Sequence, residues 1–153
     1  MKQIYKYALS LACIILAATS FSSCEWDNSP EPDHPLYVTY TISAGSVSFE
    51  GPEELLNEML AWIKANAIIY DTQVNYTSGT ASEFAKTDAE ATQKYETQFM
   101  PKFRSYLNEV KGKLASGAYG SNVQVKATFY TFASRGQGEQ RDLKYEQVEF
   151  VFP

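Results

Sequence analysis

Hydrophobic and polar positions alternate first over residues 36–43. Leu36, Val38, Tyr40 and Ile42 take one side, and Tyr37, Thr39, Thr41 and Ser43 the other. A period of two rich in β-branched and aromatic residues predicts a strand. The phase then switches, because Val47 and Phe49 fall on odd positions. Ala44-Gly45 is the expected bulge or bend. Gly51-Pro52-Glu53-Glu54 predicts a helix start. Pro52 suits the first helical position, where its missing N–H costs nothing, and Glu53 and Glu54 complement the positive end of the dipole. Leu55, Met59, Trp62 and Ile63 share the face that follows, to about Asn66. Over 67–76 both periods fit. The favoured reading extends the helix to about 70, with a loop through Thr77-Ser78-Gly79-Thr80; a strand over the same residues is the alternative.

Thr87-Asp88-Ala89-Glu90 has the form of a capping box. Ala91, Tyr95, Phe99, Phe103, Leu107, Val110 and Leu114 then recur at helical spacing. Glu90–Lys94 and Glu109–Lys113 are expected i,i+4 pairs. Pro101 should kink or split the helix, and Gly117 should end it. Val123, Val125, Ala127 and Phe129 alternate with polar neighbours, the polar stretch Ser134–Asp142 follows, and Leu143–Phe152 reads as a second strand. This pattern predicts a C-terminal hairpin. The expected class is α+β, in the order β-α-α-β-β: an antiparallel sheet of three or more strands with two helices packed on one face.

The first 24 residues read MKQIYKYALSLACIILAATSFSSC. Lys2 and Lys6 give a positive start, and an apolar run from Ala8 to Ala18 follows. That run is too short to span a bilayer, which takes about 20 apolar residues, and it suits a secretory leader. The ending Phe21-Ser22-Ser23-Cys24 resembles the lipobox of bacterial lipoprotein signal peptides, with Phe21 where that family usually has leucine. The resemblance implies cleavage before Cys24 and a lipidated Cys24, so that 1–23 is signal peptide. Cys13 lies too early in the run to be the cleavage site. Two or more acyl chains hold a protein durably on a membrane, where one holds it marginally.

Residues 25–35, EWDNSPEPDHP, carry four acids, three prolines and no Lys or Arg. Little apolar surface offsets the entropy of ordering such a segment. Residues 24–35 are therefore read as lipidated cysteine plus tether, the eleven residues after the cysteine reaching roughly 30 Å at about 3.1 Å per residue. Acids directly after the cysteine (Glu25 and Asp27, around Trp26) resemble the surface-export signals of Bacteroidetes lipoproteins. That implies a Gram-negative outer membrane and its cell-surface side; a plain acidic linker is the alternative reading. Trp26 fits an interfacial ring near the lipid. Residues 36–153 form a single globular domain, long enough for one core without staples.

Charge and composition narrow the chemistry. The formal net charge is −5, and it becomes −7 once Lys2 and Lys6 leave with the leader. A nucleic-acid binder needs a basic footprint, so no nucleic-acid partner is expected. The one histidine, His34, lies in the tether, where no base is held in position for catalysis. A Ser-His-Asp triad and Cys/His zinc sites are excluded on the same residues. No cofactor or metal is expected. Gly136-Gln137-Gly138, flanked by Arg135 and Arg141, lacks the strand-to-helix setting of a phosphate loop and reads as a turn. Glu53, Glu54 and Glu58 cluster on the first helix; two carboxylates astride a cleft are what glycoside hydrolysis uses, while acids here also complement the dipole and a solvated face.

The aromatic residues give the best candidate contact surface. With Phe129 facing the core, Tyr130 and Phe132 cannot share its neighbours' face, and Tyr37 lies on the outer side of its own strand. These three are the candidate ligand-binding residues, unless a loop such as 77–86 covers them or a bulge rotates the phase. Trp62 belongs to the core stripe. The sequence thus predicts a non-enzymatic, membrane-anchored binding or interaction module of the cell envelope, with an envelope protein or a glycan as partner. The alternatives are a glycan-binding accessory domain and a carboxylate-based glycoside hydrolase.

Overall fold

The computed structural model describes residues 36–74, 81–136 and 141–153. The leader, Cys24, Trp26, His34, the expected loop at 77–80 and the pair Gln137-Gly138 lie outside the described residues. The elements are strand β1 (Leu36–Glu50), helix α1 (Glu53–Asn66), strand β2 (Ile68–Val74) and helix α2 (Ala81–Lys94). A π turn (Tyr95–Phe99), helix α3 (Met100–Ala115), and strands β3 (Val125–Gly136) and β4 (Arg141–Phe152) follow. The α+β layer expected from the sequence is present. Its sheet has the order β2-β1-β3-β4, and every neighbouring pair is antiparallel. α1 and the rod formed by α2, the π turn and α3 cover one face, where Leu55, Met59, Phe103 and Val110 meet Ile42, Ala127, Phe129 and Phe150.

Three local expectations change. Residues 68–74 are strand, adding a fourth strand between the helices. Ala67 is extended (φ −60°, ψ 137°) and ends α1 one residue after Asn66. Ile68, Ile69, Thr72 and Val74 are β-branched and pack better on a pleated surface than in a helix, and β1 offers them a full register from Ile42↔Ile68 to Leu36↔Val74. The phase switch in β1 is real, but it lies at a register shift between Ser46 and Ser48 rather than at Ala44-Gly45. Val47 is the extra residue and is 49% exposed, while Phe49 returns to the core. Finally, α2 begins at Ala81, so Thr87-Asp88 sit inside a helix. The Thr87 hydroxyl bonds the Phe84 carbonyl at 3.1 Å instead of capping.

The stripe from Ala91 to Leu114 is buried throughout, and the π turn explains how. In an α-helix each step of four residues overshoots a full turn by about 40°. A run spaced 91, 95, 99, 103, 107 would therefore drift off its face. The wide turn takes up the excess; the Met100 N–H reaches the Tyr95 carbonyl, one residue further back than in an α-helix. Pro101 falls in the first turn beyond it, at the start of a new α-helical segment. At the other end Gly117 adopts φ +79°. Gly117 N–H donates to Leu114 O and Ala118 N–H to Lys113 O, both at 3.1 Å, which is the pair of hydrogen bonds that closes a glycine-terminated helix.

Candidate functional site

The face of the sheet that no described helix covers is built by strand parity. On β3, Val125, Ala127, Phe129, Thr131 and Ala133 point to the helices, so Lys126, Thr128, Tyr130, Phe132 and Ser134 point away. On β4 the inward residues Val148, Phe150 and Phe152 leave Tyr145, Gln147, Glu149 and Val151 outward. The pairing sets Phe132 beside Tyr145, Tyr130 beside Gln147 and Thr128 beside Glu149.

Three rings meet on this face. Tyr130 stacks on Phe132 with centroids 6.0 Å apart, and on Tyr145 at 5.6 Å with planes inclined by 23°. The Tyr130 hydroxyl donates to the Asp142 carboxylate at 3.0 Å. Partial burial, then the Asp142 bond and charge, push its phenol up to about 12. The row runs from inside to outside: Phe132 is 5% exposed, Tyr130 is half-buried and Tyr145 is 64% exposed. The structure therefore joins two of the three sequence-designated rings, Tyr130 and Phe132, and buries one of them. Tyr37 is 59% exposed on the same face, but it is not part of the row. Tyr130 faces Gly45 on β1, which places Tyr37 roughly 26 Å further along at about 3.3 Å per residue.

Sequence reasoning missed Tyr145. The signal was present in β4, where Val148, Phe150 and Phe152 fix the inward phase and force Tyr145 outward. Its partner Phe132 emerges only from the register. A loop such as 77–86 is one alternative cover for these rings. Its described part, 81–86, belongs to α2, and Phe84 packs on the other face against the Val38, Tyr40, Val74 and Ala91 cluster.

Two groups of polar side chains on the helix side are committed to one another. One Arg135 nitrogen donates to both Asp88 carboxylate oxygens at 2.9 and 3.1 Å. The buried Tyr40 hydroxyl donates to Asp88 at 2.7 Å and lies 2.6 Å from the Thr87 hydroxyl. The Arg135 guanidinium also sits over the Phe84 ring at 4.7 Å. Glu53 and Glu54 are exposed in the first turn of α1. Glu58 accepts bonds from the Lys113 ammonium and the Tyr119 hydroxyl, so Lys113 pairs with α1 and not with Glu109 as expected. Those two bonds hold the Glu58 carboxyl below the usual carboxylate range. A glycosidase general acid needs the opposite shift. The expected Glu90–Lys94 pair is present at 3.4 Å.

Among the described residues no three His, Cys, Asp or Glu side chains gather as a metal would require. Among them, too, no helix is long and apolar enough to cross a membrane. No family model, curated protein or solved structure matches the chain.

Proposed function

We propose that this chain is an envelope lipoprotein of a Gram-negative bacterium, held in the outer membrane by lipid on Cys24, whose domain is a non-enzymatic binding module. The leader ending in Ser22-Ser23-Cys24 supports the anchor, and the acidic, proline-rich run to Pro35 supports a tether that lifts the domain off the bilayer. The observation that carries the binding role is the row of stacked rings ending in exposed Tyr145, on the sheet face that no described helix covers. An exposed ring backed by a half-buried one offers apolar area for contact. Acids straight after Cys24 favour export to the cell surface.

The anchor is tested by Cys24→Ala with radiolabelled palmitate. Loss of label and release from the membrane fraction are expected; a Cys24→Ala chain still sedimenting with membranes would rule the anchor out.

A second reading, glycan binding, rests on what flanks the rings. Asp142, Gln147 and Glu149 share the outer face with Tyr130 and Tyr145, so hydrogen-bond acceptors surround surfaces on which sugar C–H faces stack. A glycan array probed with the intact chain and with Tyr145→Ala tests it. Binding that the variant loses supports this reading, and binding that it keeps removes Tyr145 from it. The low Glu58 carboxyl weighs against the glycosidase alternative.

A further inference from the structure

We propose that β4 pairs antiparallel with β4 of a second copy of this chain, on a two-fold axis at Val148. The two sheets would then continue into one, with both helix layers on the same side. This goes beyond the binding role and does not depend on which ligand the rings take.

The argument starts from the sheet order. β4 is an edge strand, and among the described residues nothing pairs with its outer side. Alternate residues there carry backbone donors and acceptors that another strand can satisfy. Proteins guard such edges with proline, bulges or outward charge. Lys144–Phe152 has none of the first two; its register with Ala133–Val125 is unbroken, the irregularity lying before it and Pro153 after it. Two of its charges are paired within the chain on the helix side, Lys144 with Glu96 and Glu146 with Arg104, which leaves Glu149 as the one charge on its outer face.

Self-pairing follows from the arrangement of the side chains. A continuous antiparallel sheet requires the axis to pass through a residue and its own copy, since opposed residues must share a face. Val148 is the midpoint of Lys144–Phe152, so an axis there pairs the whole regular run. It sets Tyr145 (64% exposed) opposite Val151 (51% exposed) twice, on the outer face. Glu149 then meets Gln147, Glu146 meets Phe150 and Lys144 meets Phe152, so no like charges stand directly opposite each other. An axis at Glu146 or Glu149 sets a carboxylate against its own copy, which is unfavourable. An axis at Gln147 leaves Tyr145 facing Glu149. The chain is complementary to itself at Val148, and the ring rows of two copies meet across the axis.

The test uses the full chain purified in detergent. In Val148→Cys the two introduced thiols lie across the axis with Cβ atoms roughly 4.5–5.5 Å apart, close enough to be oxidised to a disulfide with slight adjustment. Val151→Cys copies lie roughly 20 Å apart along the strands at about 3.3 Å per residue. Mild oxidation should give a covalent dimer with Val148→Cys and none with Val151→Cys or the wild type. Independently, Tyr145→Asp alters an exposed position beside Glu149 of the facing strand. It should weaken dimerisation at least tenfold in sedimentation equilibrium with unchanged circular dichroism. A monomeric wild type at tens of micromolar overturns the proposal. So does cross-linking of Val151→Cys as readily as Val148→Cys, or a Tyr145→Asp chain that dimerises as tightly as wild type.

Discussion

Arg135, near the end of β3, clamps Asp88 in the middle of α2, with 2.9 and 3.1 Å contacts from one guanidinium nitrogen to both carboxylate oxygens. Both side chains are mostly shielded from water, and Tyr40 adds a third bond to the same carboxylate. This clamp ties the N-terminal end of the rod to the sheet. Asp88→Ala strands a mostly shielded guanidinium without its carboxylate and leaves the buried Tyr40 phenol with the Thr87 hydroxyl alone. It should cost about 2–3 kcal/mol in urea unfolding, the penalty of leaving a charged group unsatisfied. Glu146→Ala removes an ion pair of which both members are well exposed, and should cost less than about 1 kcal/mol.

Glu58 should make stability depend on acid. Its folded carboxyl lies below the unfolded value because Lys113 and then Tyr119 bond the ionised form. A depressed folded value contributes stability that is present above the ordinary carboxylate range and lost as pH falls through the folded value. Between neutral pH and pH 3, Glu58→Gln should lose less stability than the wild type. At neutral pH it should be weaker by about 0.5–1 kcal/mol, since the Lys113 pair is partly solvated. Parallel pH-dependent urea unfolding curves for the two proteins would refute this role.

The ring row should separate stability from binding. Phe132 is buried and Tyr145 exposed, although they are direct partners in the sheet. Phe132→Ala should cost about 3 kcal/mol or more. Tyr145→Ala should cost less than about 1 kcal/mol while abolishing whatever contact the row makes. Thermal melts of both variants, set beside their binding to intact envelope fractions, check the division.

Tyr106 offers a gain. Its ring stacks on Trp62, with centroids 4.5 Å apart and planes 8° from parallel, and among the described residues its buried hydroxyl has no hydrogen-bond partner. Burial pushes that phenol far up, with the Glu58 charge adding to it. Tyr106→Phe keeps the stack and removes the orphaned group. It should leave stability unchanged or raise it by about 1 kcal/mol; a loss of more than that in chemical denaturation would show a partner for the hydroxyl.

Local signals in the sequence carried much of this fold. The stripe from Ala91 to Leu114, the hairpin of β3 and β4, and the outward parity of Tyr130 and Phe132 are all written in nearest-neighbour spacing. What escaped depends on residues distant in the chain. Ile68–Val74 fits two periods, and only pairing with β1 decides between them. Thr87-Asp88 resembles a helix cap, yet Asp88 serves Tyr40 and Arg135. Lys113 had a suitable acid one turn away in Glu109 and bonds Glu58 on another helix. Tyr37 looked equivalent to Tyr130, and register alone sets them apart.

The wide turn at Tyr95–Phe99 also makes the long rod tolerant of a shortened chain at one point. Such a turn holds one residue more than ordinary winding needs, so excising exposed Gln98 would straighten the backbone while both halves kept their orientation toward the sheet. Pro101 stands in the way, because in uniform winding its ring meets the carbonyl four residues back. The surplus residue and the imino acid are thus interdependent: a lineage could discard them together more easily than either one alone.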